Sequence, residues 1–439
     1  MPEDDESSGD AELNEPNKET DNVSDDDGDD DDDDDDDDDE VGHCNFATIG
    51  AITDTQFCTV VDLYCKTIGT NDQTRVINRT HGTYNYVASV DVSNEHGRAQ
   101  YVVRVPGHGT KDHWQEEDAY TLEREVDMLK ILSSRTSVPV SKVLAYSTSH
   151  DNALGFPFIL MTRLPGKDAY SIWFDQAYQG NIEAACTADV PSIATERKRT
   201  TFLRSLAKVM TEIQSISFPG IGLPKYDEQE DETFTVHHND LDLQNILVDT
   251  EGNVTGIIDW DNSYVSPRCT GAAAVPMFLR GDWFPYYANS LDNSPHMIFN
   301  YHHYREVYAA AMVEAGNITD AKYTMKSALY QAALAAITEG GDATDLISRI
   351  LNEIPNCRVN VKDFKFAIAR GWPAAQVILS RYLPEIFEPV LPRHGFLADA
   401  ENDLEIREWM IGFDDFTMEE IESAPHNTSE SVEAGTAGW

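Results

Sequence analysis

The sequence predicts an α+β, bilobal protein: a small antiparallel sheet with one helix packed on it, followed by a larger and mainly helical lobe. Three observations predict it. Short segments rich in Val and Tyr, alternating with polar residues and bounded by Gly and Asn, run from Arg75 to Val105. Leu122, Val126, Leu129 and Leu132 then recur at helical spacing and define one apolar face. Beyond Thr162-Arg163-Leu164-Pro165-Gly166, which reads as a connector, the apolar periodicity is mostly that of helices.

Taken in order, a partly helical stretch is expected around Phe57–Ile68. Strands are expected over Arg75–Arg79, Tyr86–Val92 and Tyr101–Val105, with turns at Gly82–Asn85 and Asn94–Gly97. The helix follows at Ala119–Leu132, and extended segments at Val140–Ala145 and Phe158–Met161 complete the sheet. In the second lobe Phe202, Leu206, Val209, Met210, Ile213 and Ile216 mark a long amphipathic helix. Further helices are expected near Tyr304–Ala315, Tyr323–Thr338, Thr344–Leu351, Val361–Ala369 and Ala374–Tyr382. Lys167–Arg199 is less regular and suits a helical insertion, and Lys225–Thr233 is an acidic loop. The expected division is an acidic, disordered tail over 1–43, a nucleotide-binding lobe over 44–165, a helical lobe over 166–418 and a loose end over 419–439.

Charge is unevenly distributed. The formal net charge is −46, and the first 40 residues alone contain 24 acidic side chains against the single basic residue Lys18, with an unbroken aspartate run from Asp29 to Asp39. Such a run repels itself and has nothing to bury. It reads either as a solvated, solubilising tail or as a segment that contacts a basic partner. It lacks the ordered ligand spacing and the glycine of a calcium loop. The remainder is acidic too, which argues against a nucleic-acid partner, since that needs a basic footprint. Six cysteines with no C-x-x-C pair indicate neither a disulfide scaffold nor a zinc site. No apolar run is long enough for a membrane span, and no apolar leader follows Met1. A soluble, cytoplasmic protein is the expectation.

The chemistry-bearing stretch is HHNDLDLQNILVDTEGNVTGIIDWDN, His237 to Asn262. Ile246–Asp249 and Val254–Ile258 read as two strands around a turn at Thr250–Asn253. Pairing them as a hairpin sets Asp249 against Val254, Ile246 against Ile257 and Asn245 against Ile258. Asn245 and Asp259, 14 apart in sequence, thereby meet at the open end. A carboxamide oxygen and a carboxylate suit magnesium, which takes one or two oxygen ligands from protein and the rest from phosphate and water. Asp240, on the loop entering the hairpin, reaches the same end, where a carboxylate accepts a proton from, or orients, an attacking hydroxyl. An isolated Asp-x4-Asn is ordinarily just a surface turn. Here it is joined by His238, the apolar strand and Ile257-Ile258-Asp259-Trp260.

These residues resemble the aminoglycoside phosphotransferase family, whose motif is H-G-D-x-x-x-x-N followed by I-D-W/F-D/E. The flanking REVDMLKIL, VPVSKVLAYS and GFPFILMTRLPG are similar to its fungal-type members. The resemblance covers roughly residues 80–285. It implies a protein-kinase-like fold, ATP as donor, Mg2+ and a small-molecule hydroxyl acceptor. It also implies that Asp240 is the catalytic aspartate, that Asn245 and Asp259 are the magnesium ligands, and that Glu125 is the helix glutamate facing the nucleotide strand Tyr101–Val105. That strand departs from the family in carrying Arg104 where lysine is usual. Arginine keeps the charge and can hold phosphate in a fork, although an arginine on a strand is ordinarily exposed. Asn239 replaces the motif's glycine, a mild change because Asn tolerates unusual backbone angles. The turn Gly82–Asn85 reads equally as a phosphate cradle or a plain hairpin. His238 is expected to brace the catalytic loop, and His237 to cap or pack beneath it. Trp260, Trp283, Phe284, Tyr286 and Tyr287 suit either core packing or an acceptor pocket. The Arg104 departure keeps open a second reading, a non-catalytic nucleotide-binding or interaction module. A protein kinase is disfavoured, because no A-P-E-type segment or long activation loop follows Asp259.

Overall fold

The alternating segments form a five-stranded antiparallel sheet of order β1-β2-β3-β5-β4, with strands Gln73–His81 (β1), Asn85–Asn94 (β2), Gly97–Pro106 (β3), Val143–Ser147 (β4) and Phe158–Thr162 (β5). The computed structural model describes residues 44–65, 73–94, 97–177, 188–220, 234–283, 300–338 and 388–414, with isolated positions between 350 and 387. The expected acidic tail, the acidic loop 225–233, Phe284, Tyr286, Tyr287 and the final 25 residues (415–439) lie outside the described residues. So does most of the three helices expected between 344 and 382.

Both faces of the sheet are covered. Helices Phe46–Gly50 (α1) and Asp54–Tyr64 (α2) bury Ile49, Phe57, Val60 and Val61 against Ala88, Val90, Val103, Val105 and Leu160. The helix expected around Phe57–Ile68 is therefore α2, and its capping box (Thr53 with Gln56) starts it earlier than the apolar spacing suggests. The opposite face carries Glu116–Arg135 (α3), which buries Leu122 and Val126 against Ile159 and Met161. Three acids in the first turn of α3 and Arg135 in its last suit the helix dipole. Glu125 lies within the buried stripe of α3, so it must find a partner on the sheet. Val140–Ala145 is displaced in the structure to β4 at Val143–Ser147, while Val140 itself bridges Ile257.

The second lobe follows a short strand Lys167–Asp168 (β6) and helix Tyr170–Trp173 (α4). It is organised on the helix Ile193–Gln214 (α5), which buries Phe202, Leu203, Leu206, Ala207, Met210 and Ile213. Helices Tyr301–Glu314 (α6), Ala321–Thr324 (α7), Ser327–Thr338 (α8) and Phe396–Asp414 (α9) complete the described part. The helix expected over Tyr323–Thr338 is thus two pieces broken at Met325–Lys326. Arg199, fully buried, locks this lobe together. Its guanidinium donates to the carbonyls of Trp173 (2.7 Å) and Ala188 (2.8 Å) and to the Tyr304 hydroxyl (2.7 Å), and it stacks on Trp173 and Tyr304.

The stretch His237–Asn262 is held by four short strands. Phe234–His237 (β7) pairs with Tyr264–Pro267 (β10), and Ile246–Val248 (β8) with Val254–Ile257 (β9). The two pairs close off the loops 238–245 and 258–263 from both ends. At the open end the expected register holds, with Ile246 opposite Ile257 and the Ile258 N–H donating to the Asn245 carbonyl at 2.9 Å. At the turn it does not. An irregularity at Leu247/Val248 sets Val248, rather than Asp249, against Val254. Asp249 instead organises the turn by accepting from the N–H groups of Glu251 and Asn253. Gly252 has φ +93°, and a Cβ there would lie 2.8 Å from the Lys198 carbonyl, so the hairpin is seated on α5 only because that residue has no side chain.

Replacing Arg199 by alanine removes the donor to two buried carbonyls, of Trp173 and Ala188, and to the Tyr304 hydroxyl. It is expected to cost roughly 3 kcal/mol or more of stability in chemical denaturation. A loss below about 1 kcal/mol would contradict its role as the lock of this lobe.

Candidate active site

Asp240, Asn245, Asp259, Arg104 and Glu125 are brought to one place. Asp240 follows β7, and a 3-10 turn over Leu243–Asn245, capped by Asp242, carries the chain into β8. Within this turn the Asn245 side chain points its Nδ2 at Asp240, donating to the backbone carbonyl (2.9 Å) and to Oδ2 (2.8 Å). The amide is thereby oriented, and its oxygen accepts nothing from the described residues. Gln244 donates to the same Asp240 oxygen at 3.2 Å.

Across the hairpin mouth, Asp259 occupies the left-handed region at φ +61°, and Asn262 does so at +54°. Asn and Asp are the residues that bear this backbone best. The reversal turns the Asp259 carboxylate toward the sheet, where Arg104 Nη1 donates to it at 3.3 Å. Nη2 of Arg104 donates to Glu125 and, at 2.6 Å, to Asp261. Arg104 is 9% exposed and Glu125 5%, so the surface-arginine reading does not hold. The Arg104 Nε is also buried, with no acceptor among the described residues.

The electrostatics follow from this crowding. Burial opposes the charge on Arg104, but Asp261, Glu125 and Asp259 outweigh it and keep the guanidinium protonated. Burial pushes Glu125 up, opposed by Arg104 and reinforced by Asp261. Asp261 is also penalised by burial, yet Arg104 and the hydrogen bonds it accepts bring it down to about 2. Partial burial and the neighbouring Asp261 raise Asp259 to about 6, a shift that its 42% side-chain exposure moderates.

His238 donates from Nε2 to the Ile258 carbonyl at 3.0 Å and lies edge-on to Trp260. It ties the loop of Asp240 to the peptide preceding Asp259. His237 contacts the Thr270 carbonyl at 2.7 Å. Trp260 and Trp283 are buried in the core, which removes them as acceptor-pocket linings. Gly82 has neither a positive φ nor a neighbour within 4 Å of a Cβ, so the turn does not require glycine for steric reasons. A cavity beside the loop is lined by His238, Asn239, Leu241, Val275, Met277 and Arg280.

Two contributors were not singled out in the sequence: Asp261, and Asn85, whose Nδ2 donates to Asp261 at 2.9 Å. Asp261 stands two residues after Asp259 in the Asp-Trp-Asp run, and that spacing was the available signal. Nothing local marks Asn85.

A two-lobed α+β fold with a cationic strand residue paired to a helix glutamate, facing an Asp-x4-Asn loop and a following Asp, defines a phosphotransferase class. The family model described as the phosphotransferase enzyme family matches residues 81–306, just over half of the chain, and the protein belongs to that family. Among curated proteins it is 27% identical over 146 residues to a probable acyl-CoA dehydrogenase of Arabidopsis thaliana, a match covering 33% of this chain and 15% of that protein. Among solved structures it is similar to a type I macrolide 2'-phosphotransferase (15% identity, 67% of this chain and 94% of that one, TM-score 0.32). It is also similar to an ethanolamine kinase of Plasmodium vivax (14%, 66% and 84%, TM-score 0.36).

A pH dependence of stability follows from the loop. Burial lowers His238 from 6.5 to about 4, and His237 likewise. Both are neutral in the folded protein at pH 7, while the unfolded chain takes up their protons below 6.5. The stability these two histidines contribute is therefore expected to be full above about pH 6.5 and to fall as pH drops toward 4, against the opposite contribution of the raised Asp259 and Glu125. His238→Gln should flatten this decline in denaturation curves taken between pH 7 and 4; an unaltered slope would contradict the assignment.

Proposed function

We propose that the protein transfers the γ-phosphate of ATP to a hydroxyl group of a small molecule. The observation that carries the reading is the side-chain chain from Asp240 and Asn245, across the Asn245–Ile258 backbone pair, to Asp259, Arg104 and Glu125. Asn245 and Asp259 present an amide oxygen and a carboxylate, hard donors that fit Mg2+. Among the described residues no group of three or more His, Cys, Asp or Glu gathers as a metal cage, which suits an ion whose other ligands are phosphate and water. When bound, the ion supplies charge neutralisation on the phosphates. Arg104, held by Glu125, has a forked cationic head suited to phosphate oxygens.

Asp240 orients the acceptor hydroxyl and takes its proton as the oxygen attacks. It is half-buried, and Asn245 and Gln244 fix its Oδ2. That leaves Oδ1 for the substrate. The Asn245 bond thus couples the proposed base to the proposed metal ligand. Catalysis of this kind is mostly positioning and electrostatics.

The test is ATP consumption and product mass with a panel of hydroxylated metabolites and aminoglycosides. Asp240→Asn is expected to reduce turnover by roughly 10²–10⁴-fold with nucleotide binding kept. Unchanged turnover would remove Asp240 from the role. Asp259→Asn is expected to abolish the magnesium dependence of ATP binding measured by calorimetry. Magnesium-independent binding by the unaltered protein, with no ATP hydrolysis, would favour a nucleotide-binding module instead.

A further inference from the structure

One carboxylate joins the sheet to the segment that carries Asp259. Asp261 Oδ1 accepts from Arg104 Nη2 at 2.6 Å, and its Oδ2 from Asn85 Nδ2 at 2.9 Å. Arg104 lies on β3 and Asn85 opens β2, where the register sets Asn85 opposite Pro106 and Val87 opposite Arg104. Asp261 therefore reaches across the end of both strands. Arg104 divides its donors unequally. Nη2 serves Glu125 and Asp261, and only Nη1 approaches Asp259, at 3.3 Å, the longest of the three contacts. Asp259 keeps a side chain 42% exposed.

We infer that Asp261 is a positioning residue: it draws the Arg104 guanidinium to the sheet side and so leaves the Asp259 carboxylate to a divalent cation. This rests on the reading of Asp259 as a magnesium ligand. Without the Asp261 charge, Arg104 has Glu125 and Asp259 as its remaining anionic partners. The guanidinium then competes with the cation for Asp259. The bond from Asn85 holds the Asp261 carboxylate in place against rotation into solvent.

The test is calorimetric titration of ATP into the full-length protein over a series of magnesium concentrations. Asp261→Asn is expected to raise the magnesium needed for half-maximal ATP binding by about 10-fold, the scale of one charge-assisted hydrogen bond. ATP affinity in EDTA should stay within about 2-fold, because no metal is then in competition. A merely structural residue would weaken ATP binding alike at every magnesium concentration, and that result overturns the inference. Combining Asp261→Asn with Arg104→Lys should return the requirement to within about 3-fold of Arg104→Lys alone, because an ammonium lacks the fork that spans Glu125 and Asp259. If Asp261→Asn does not fold, Asn85→Ala cuts only the anchor and is expected to raise the requirement about 3-fold, as loss of one neutral donor does. An unchanged requirement in a folded Asp261→Asn, or failing that in Asn85→Ala, overturns the inference. Magnesium-independent ATP binding by the unaltered protein overturns instead the reading of Asp259 beneath it.

Discussion

The buried guanidinium of Arg104 is the constraint on which the site depends. A charge removed from water is tolerated only where ion pairs and hydrogen bonds replace its hydration. Glu125, Asp259 and Asp261 do this from two separate parts of the chain, helix α3 and the Asp259-Trp260-Asp261 run. The sheet, the helix and the hairpin mouth are thereby fixed to one another by a single side chain. The positions of α3 on one face and α2 on the other follow from ordinary apolar burial. The alignment of the sheet with the loop 258–263 follows from Arg104.

The loop has its own support, independent of that ion cluster. Two short strand pairs, β7 with β10 and β8 with β9, hold both ends of the segments that bear Asp240 and Asp259. His238 spans the gap between them with one hydrogen bond to Ile258. Asn245 spans it with another through its backbone carbonyl. The carboxylates of Asp240 and Asp259 thus sit beside backbone positions that are already fixed, which suits the proposed reaction, one dependent on positioning.

Much of this was legible in the sequence where the determinants are local. The Ile246–Ile257 register followed from strand period and turn composition, and it brought Asn245 and Asp259 together as expected. The slip at Leu247/Val248 was not legible, because Asp249 trades a ladder position for hydrogen bonds to Glu251 and Asn253 that composition does not reveal. Nor was the burial of Arg104. In Tyr101–Val105 the strand alternates, but both faces of β3 are covered, so a charged residue on the α3 side enters the interior. Asn85 and Asp261 lie 176 residues apart, and such a contact leaves no trace in spacing or periodicity. The β7–β10 pair was missed for a related reason: four-residue strands are too short to display a period.

The left-handed backbone of Asp259 carries a consequence for anyone wishing to silence this site. At φ +61° an alanine is strained where an asparagine is at ease. Truncating Asp259 to alanine therefore perturbs two things at once, the carboxylate proposed to hold magnesium and the peptide plane that His238 grips at Ile258. An inactive alanine variant reports on their sum. Asparagine preserves the fold of the main chain and subtracts only the charge, which makes it the cleaner reference state for binding thermodynamics in this protein.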